Sequence, residues 1–140
     1  MNKEEIMRIL PHRDAMLLLD EVSLEGDEAV GKKAITGEEW FLKGHFPDRP
    51  VVPGVILCEI MAQSACILLK DVMTENKLPF YTGMNNVKFR SQVQPGDVFT
   101  TRIKIVRSMG PFYFAKGKGY VGDRLSLEGE FSFALADNKA

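Results

Sequence analysis

The chain has 140 residues, of which 45% are hydrophobic, and a formal net charge of −1. This length and composition predict one globular domain that spans residues 1–140. Because the charge is nearly balanced and the basic residues are scattered, nucleic acids and anionic membranes are not expected as partners.

The N-terminal residues 1–5 lack the basic start and apolar run of a secretory signal. Cys58 and Cys66 are the only cysteines, and on a helix they would lie too far apart along the axis for a disulfide. No motif has the spacing of metal ligands. We therefore expect buried free thiols, no metal and a reducing, cytoplasmic setting.

The predicted elements are strands and one long helix. In chain order, the pattern predicts a short helix at 4–10, strands at 16–22 and 28–35, an irregular segment at 38–53, a long helix at 54–74, and strands at 80–89, 98–106, 112–120 and 125–135. The long helix is apolar around most of its circumference but interrupted by charge, which favours a buried helix over a membrane span. A sheet curled around this helix buries it economically, so an α+β fold is predicted.

Glu59 is the unusual residue of the long helix, because a carboxylate amid apolar neighbours is costly to bury in its ionised form. Either this face of the helix opens onto a cleft or Glu59 carries a proton and is available as a general acid. The structural alternative is a glutamate that is paired with the backbone or with Arg49. Gln63 lies one turn farther on the same face, where it either orients the carboxyl group or faces solvent.

His45 lies between Gly44 and Pro47 in the irregular segment, and its ordinary pKa suits proton transfer near neutral pH. The alternative for His45 is a purely structural place in the loop. For His12, the other histidine, we expect a structural role, either at the end of the short helix or in a strand. At the start of the long helix, Gly54 and Val55 have amides with no helical partner, which could stabilise an oxyanion.

Together these features resemble the FabZ-type (3R)-hydroxyacyl-[acyl carrier protein] dehydratases of fatty acid synthesis. Six short motifs carry the resemblance in order: Leu10-Pro11-His12-Arg13, Gly44-His45-Phe46-Pro47, Pro53-Gly54-Val55 with Glu59, Met61-Ala62-Gln63, Lys88-Phe89-Arg90 and Pro95-Gly96-Asp97. The motifs span roughly residues 4–136. The related FabA-type dehydratase/isomerases usually carry aspartate at the position of Glu59 and cysteine at that of Val55, so the FabZ type fits better.

The resemblance implies a hotdog fold, in which a curved antiparallel sheet wraps around a long central helix. It further implies that His45 is the catalytic base, that Glu59 is the catalytic acid, and that the amides of Gly54 and Val55 hold the thioester carbonyl, with Gln63 in support. The acyl chain would arrive on the phosphopantetheine arm of acyl carrier protein, without a metal or redox cofactor. Each site would combine His45 of one subunit with Glu59 of another, in a homodimer or a trimer of dimers.

Candidates for the lining of the acyl tunnel are apolar residues chosen by position: Phe46, Ile56, Ile60, Phe89 and Phe112. The sequence departs from the family pattern at Asp48-Arg49, where a small residue is usual, and at Ser91-Gln92, which replace a more basic pair. These departures affect the expected preference for acyl-chain length and the docking of the carrier protein, but they do not involve His45 or Glu59. A bifunctional dehydratase/isomerase, a hotdog thioesterase and a non-catalytic acyl-carrier binder remain as alternatives.

Overall fold

The computed structural model describes residues 1–43, 48–74 and 77–137. The helices are α1 (Lys3–Met7) and α2 (Gly54–Ile67), and two 3-10 turns lie at Asp14–Met16 and Trp40–Leu42. The strands are β1 (Glu21–Glu25), β2 (Glu28–Ala34), β3 (Lys77–Phe89), β4 (Val98–Met109), β5 (Phe112–Val121) and β6 (Arg124–Asp137).

The six strands form one antiparallel sheet in the order β1-β2-β4-β5-β6-β3. Three hairpins connect successive strands, and each turn holds a glycine with positive φ: Gly26, Gly110 and Gly122. A residue with a Cβ adopts this backbone conformation only with strain, so glycine suits each of these turns.

Helix α2 lies against one face of the sheet and contacts β2, β3, β4 and β5. Ser64 and Thr101 share a hydrogen bond of 2.6 Å between their hydroxyl groups, which ties α2 to β4. At Gly31 of β2 a Cβ would collide with the Ser64 hydroxyl, so a glycine is needed for this close approach. The helix and the sheet share one apolar core, which agrees with the predicted fold class.

The strand predicted at 16–22 is wrong in its position, because the first strand begins only at Glu21. Leu17, Leu18 and Leu19 are consecutive buried residues, which alternation along a strand does not produce. The backbone amide of Leu18 donates to the Gln63 side chain at 3.0 Å rather than to a neighbouring strand. The predicted apolar run therefore packs as irregular chain against α2.

The long helix also ends earlier than predicted, at Ile67 rather than at residue 74. The amides of Leu69 and Lys70 donate to carbonyl groups three residues back, at 3.0 and 3.3 Å. Hydrogen bonds of this spacing tighten the chain into turns that continue the apolar run beyond the α-helix.

Candidate active site

Glu59 is the one side chain between Leu57 and Ile67 that is not buried. A quarter of its side-chain surface, 25%, remains exposed. Burial of the remainder raises the pKa of the carboxyl group above its ordinary value, and a hydrogen bond from Gln63 opposes this shift. Both readings of the sequence therefore apply, since this face of the helix reaches the surface and the carboxyl group tends to keep its proton.

Gln63 is fully buried, so the solvent-facing alternative for this residue is wrong. Its carbonyl oxygen accepts from the Leu18 amide at 3.0 Å, and its Nε2 donates to the Met16 carbonyl at 2.7 Å. The same Nε2 lies 3.4 Å from Oε2 of Glu59. Gln63 thus connects the carboxyl group to the segment that precedes β1, and its own orientation is fixed by two backbone groups.

His12 approaches Glu59 from the N-terminal segment, with 3.8 Å between its Nε2 and Oε2 of the carboxyl group. The sequence had suggested a role for His12 at the helix end, but the neighbouring Arg13 has that role. The Arg13 guanidinium donates to the carbonyl groups of Met7, Leu10 and His12 at 2.7–2.9 Å. Arg49, the other partner considered for Glu59, makes no ion pair with it in the described part of the chain.

The start of α2 presents the amides of Gly54 and Val55, and neither has a hydrogen-bond partner within the described residues. The aromatic ring of Phe89 lies over Gly54, since a Cβ built there would come within 2.7 Å of the ring. Val55 is 73% exposed. Val55, Glu59 and Gln63 recur at intervals of four residues and share one helix face, with Glu59 about 6 Å along the axis from Val55.

The remaining predicted residues are scattered or undescribed. His45 and Phe46 lie outside the described residues. Phe89 and Phe112 are exposed by 54% and 46%, whereas Ile56 is partly buried against the core. Ile60 is fully buried in the core cluster, so the isolated subunit offers no surface there for an acyl chain.

Three further titratable groups lie near Glu59, and all favour their neutral forms. Burial raises the pKa of the Cys58 thiol to about 11 and, together with the charge of Glu59, that of Cys66 to about 12. Tyr81 donates its hydroxyl hydrogen to the Cys58 carbonyl at 2.6 Å, and burial raises its pKa as well. Neither thiol has the lowered pKa of a reactive cysteine.

The described residues contain no cluster of three or more His, Cys, Asp or Glu side chains placed to hold a metal ion. Among the described helices, none combines the length and apolar character needed to cross a bilayer.

Comparison with known proteins decides which family this site belongs to. Residues 10–130 match the FabA-like domain family. The 3-hydroxyacyl-[acyl-carrier-protein] dehydratase FabZ of Natranaerobius thermophilus is 44% identical over 136 residues, which cover 95% of this chain and 96% of that protein. The chain belongs to the FabZ family. A second FabZ, from Lactococcus lactis subsp. cremoris, is 41% identical over 136 residues and covers 96% of this chain and 94% of that protein.

Solved structures confirm the hotdog fold of this FabZ-family chain. The dehydratase heterocomplex ApeI:P from Xenorhabdus doucetiae superposes with a TM-score of 0.82 at 17% identity, covering 95% of this chain and 91% of that chain. The fluoroacetyl-CoA-specific thioesterase FlK superposes with a TM-score of 0.70 at 11% identity, covering 84% of this chain and 98% of that chain. Dehydratases and thioesterases thus share this fold, and the fold alone does not separate the two activities.

Proposed function

We propose that this chain removes water from a (3R)-3-hydroxyacyl thioester carried by acyl carrier protein, and so forms the trans-2-enoyl thioester. The proposal rests on the environment of Glu59. Its carboxyl group has a raised pKa and stands at the one position between Leu57 and Ile67 that is not buried, in a chain related over nearly its full length to FabZ dehydratases. Fatty acid synthesis is the process in which this reaction is expected.

The elimination needs a base for the C2 proton and an acid for the C3 hydroxyl group. We assign the base to His45 because of the family motif Gly44-His45-Phe46-Pro47, although the motif lies outside the described residues. Glu59, protonated, gives its proton to the departing hydroxyl oxygen, which leaves as water. A positioned acid or base contributes typically about 10²–10⁴-fold to such a rate.

Removal of the C2 proton places negative charge on the thioester oxygen. The unpaired amides of Gly54 and Val55 stand at the positive end of the α2 dipole, where hydrogen bonds to this oxygen would stabilise the charge. Each such donor is worth about 10²–10³-fold in rate. The Phe89 ring beside Gly54 offers an apolar wall for the substrate at the same place.

Acyl carrier protein is the expected partner, because it is the substrate carrier named for the FabZ relatives. The acyl group would be presented on its phosphopantetheine arm, and the elimination itself needs no metal or redox cofactor. The two acid–base groups named above and the helix start supply the necessary chemistry. We place the reaction in the cytoplasm.

The free edge of β3 supports a homodimer, with a trimer of dimers as a possible larger assembly. This strand is 13 residues long, and within the described subunit it pairs only with β6. Phe80, Met84 and Phe89 are each about half exposed along it. A long apolar edge strand is a template for pairing with another chain. The family resemblance implies that each site in such an assembly combines His45 of one subunit with Glu59 of the other.

Two other enzymatic readings have distinct products. A thioesterase would release a free thiol, and a dehydratase/isomerase would convert the 2-enoyl product into the 3-enoyl form. The thioesterases found among the structural neighbours share only the fold with this chain, whereas the full-length relatives are dehydratases. A non-catalytic acyl-carrier binder would have no need for the pair of His45 and Glu59.

The proposal is tested by following the hydration of a crotonyl thioester through the loss of its enoyl absorbance. We expect His45→Ala and Glu59→Gln each to reduce the rate by at least about 100-fold while circular dichroism shows an intact fold. Glu4→Gln, which neutralises an exposed glutamate of α1, is the matched control and should leave the rate unchanged. Full activity in either active-site variant, or thiol release as the main reaction, would contradict the proposal.

A further inference from the structure

Two nitrogen atoms converge on one oxygen of Glu59. The Gln63 Nε2 lies 3.4 Å and the His12 Nε2 lies 3.8 Å from Oε2. The first distance is that of a long hydrogen bond, and the second is an electrostatic contact that a small rotation of either side chain would shorten. Catalytic hydrogen bonds are often long before substrate binds and tighten in the reacting complex.

The surroundings of His12 define its protonation state. Burial and the charge of the adjacent Arg13 lower the pKa of the imidazole, so the ring is neutral near pH 7. A neutral imidazole carries one N–H group. Nδ1 is buried and has no partner within the described residues, whereas Nε2 faces the carboxyl group. Because a buried N–H without an acceptor is costly, the hydrogen belongs on Nε2, where it points towards Glu59.

His12 is also held rigidly. The Arg13 guanidinium anchors the His12 backbone and the chain before it through hydrogen bonds to the His12, Leu10 and Met7 carbonyl groups. Gln63 is fixed independently through the Leu18 amide and the Met16 carbonyl. Two donors on separate, anchored segments therefore approach the same carboxylate oxygen, which is the arrangement that holds a reacting group in one orientation.

We propose that His12 is a positioning residue for the general acid, and that with Gln63 it holds Oε2 of Glu59 so that Oε1 carries the proton to the departing hydroxyl group. The inference rests on the proposed function of Glu59. It assigns His12 no proton transfer of its own, and it separates the two carboxyl oxygens by role.

The other titratable groups near Glu59 do not substitute for His12. Cys66 of α2 and Tyr81 of β3 feel the charge of the carboxyl group, but both are neutral, and the Tyr81 hydroxyl donates to the Cys58 carbonyl instead. Arg13 bonds to three backbone carbonyl groups. Among the described residues, Gln63 makes the side-chain hydrogen bond to the Glu59 carboxyl group and His12 makes the electrostatic contact with it.

Two substitutions, His12→Gln and His12→Asn, each place an amide side chain at this position and distinguish the proposed role from a merely structural one. In His12→Gln the amide nitrogen can occupy the place of Nε2 and still donate to Glu59. In His12→Asn it occupies roughly the place of Nδ1, which has no partner, and the contact with Glu59 is lost. The two variants carry the same amide group and differ only in the length of the side chain that bears it. The experiment measures kcat, KM and the pH dependence of the dehydration of a (3R)-3-hydroxybutyryl thioester, which is the direction in which Glu59 acts as the acid.

We expect His12→Asn to lower kcat by about 10- to 100-fold with KM changed less than threefold, because the acid is misplaced while the substrate still binds. Losing the N–H donor also raises the pKa of Glu59 further, since the donor favours the carboxylate. The alkaline limb of the pH profile, where the acid loses its proton, should therefore move to higher pH. His12→Gln should retain most of kcat and the wild-type limb.

Equal kcat and equal pH profiles in folded Asn and Gln variants would overturn the inference. A loss confined to KM, or an equal loss in both variants with an unmoved limb, would also overturn it, because a structural role gives those results. Glu59→Gln is measured in parallel and reports on the proposed function alone. If Glu59→Gln is inactive while His12→Asn and His12→Gln behave identically, Glu59 is still supported as the general acid, but His12 is not a positioning residue.

Discussion

At the scale of the residue, the catalytic role proposed for Glu59 comes with a cost in stability. Its folded-state pKa is raised, mainly by burial. The folded protein therefore binds this proton more tightly than the unfolded chain does. Glu59 costs no stability at a pH below the unfolded pKa. As the pH rises through the interval up to the folded pKa, the free energy of unfolding falls.

Glu59→Gln should therefore stabilise the protein at neutral and alkaline pH and have less effect near pH 4. Each unit by which the pKa is raised corresponds to about 1.4 kcal/mol once the pH exceeds the folded pKa. The measurement is the urea midpoint of wild type and variant between pH 4 and pH 8. Glu4→Gln on the exposed face of α1 should show no such growing difference. A difference that stays constant or shrinks with pH would contradict burial as the cause of the raised pKa.

The residues around Glu59 also show what sequence alone can resolve. The unusual environment of Glu59 was predictable, since a carboxylate in an apolar helix stands out, and the structure shows its partial burial and raised pKa. The contacts of Gln63 and His12 were not predictable. Gln63 binds backbone groups 45 and 47 residues away, and His12 reaches Glu59 of α2 from the N-terminal segment. The motif Leu10-Pro11-His12-Arg13 marked this segment as characteristic of the family, but gave no sign of which side chain faces the acid.

At the scale of the element, the start of α2 depends on a close approach between helix and strand. Gly54 lies beneath the ring of Phe89 from β3, with no space for a Cβ. Gly54→Ala should therefore displace the ring and lower dehydratase activity by about tenfold, within the range that misplacement of a site allows. The thermal midpoint should change little, because the half-exposed ring can move outward and alanine favours the helix.

A double-mutant cycle measures that contact. In the Phe89→Ala background the ring is absent, and Gly54→Ala should cause no further loss of activity. If Gly54→Ala costs the same factor in both backgrounds, the ring contact is not the cause.

The elements themselves were predicted well where periodicity or turn residues carried the signal. Strands β2 to β6 and the start of the long helix lie near their expected positions, because the period of the apolar pattern reports local geometry. The strand predicted at 16–22 was wrong because the leucines of this segment pack as irregular chain on α2. The predicted end of α2 was wrong because the apolar run continues beyond the helix through tighter turns. Both errors come from tertiary contacts that override a local pattern.

At the scale of the whole molecule, the isolated subunit leaves its proposed site incomplete. Four surface grooves have volumes of about 460, 420, 540 and 660 Å³, and Glu59 lines none of these four. The two free edges of the sheet differ in character. β1 has five residues, including three glutamate and serine positions exposed to solvent, whereas β3 is long and carries exposed apolar side chains. Charged, short edges resist pairing and long apolar edges invite it.

Met84→Asp should therefore convert the protein to a monomer and abolish dehydration, because a charge would be buried at the subunit boundary without a partner. Met84 is 49% exposed in the subunit, so the change should leave the monomer folded. Light scattering gives the molar mass, and the crotonyl-thioester assay gives the activity. Leu24→Asp on β1, where the original side chain is 43% exposed, is the matched control and should keep both the oligomer and its activity. An active Met84→Asp monomer would show that one subunit holds the complete site, and the proposed sharing of His45 and Glu59 between subunits would be wrong.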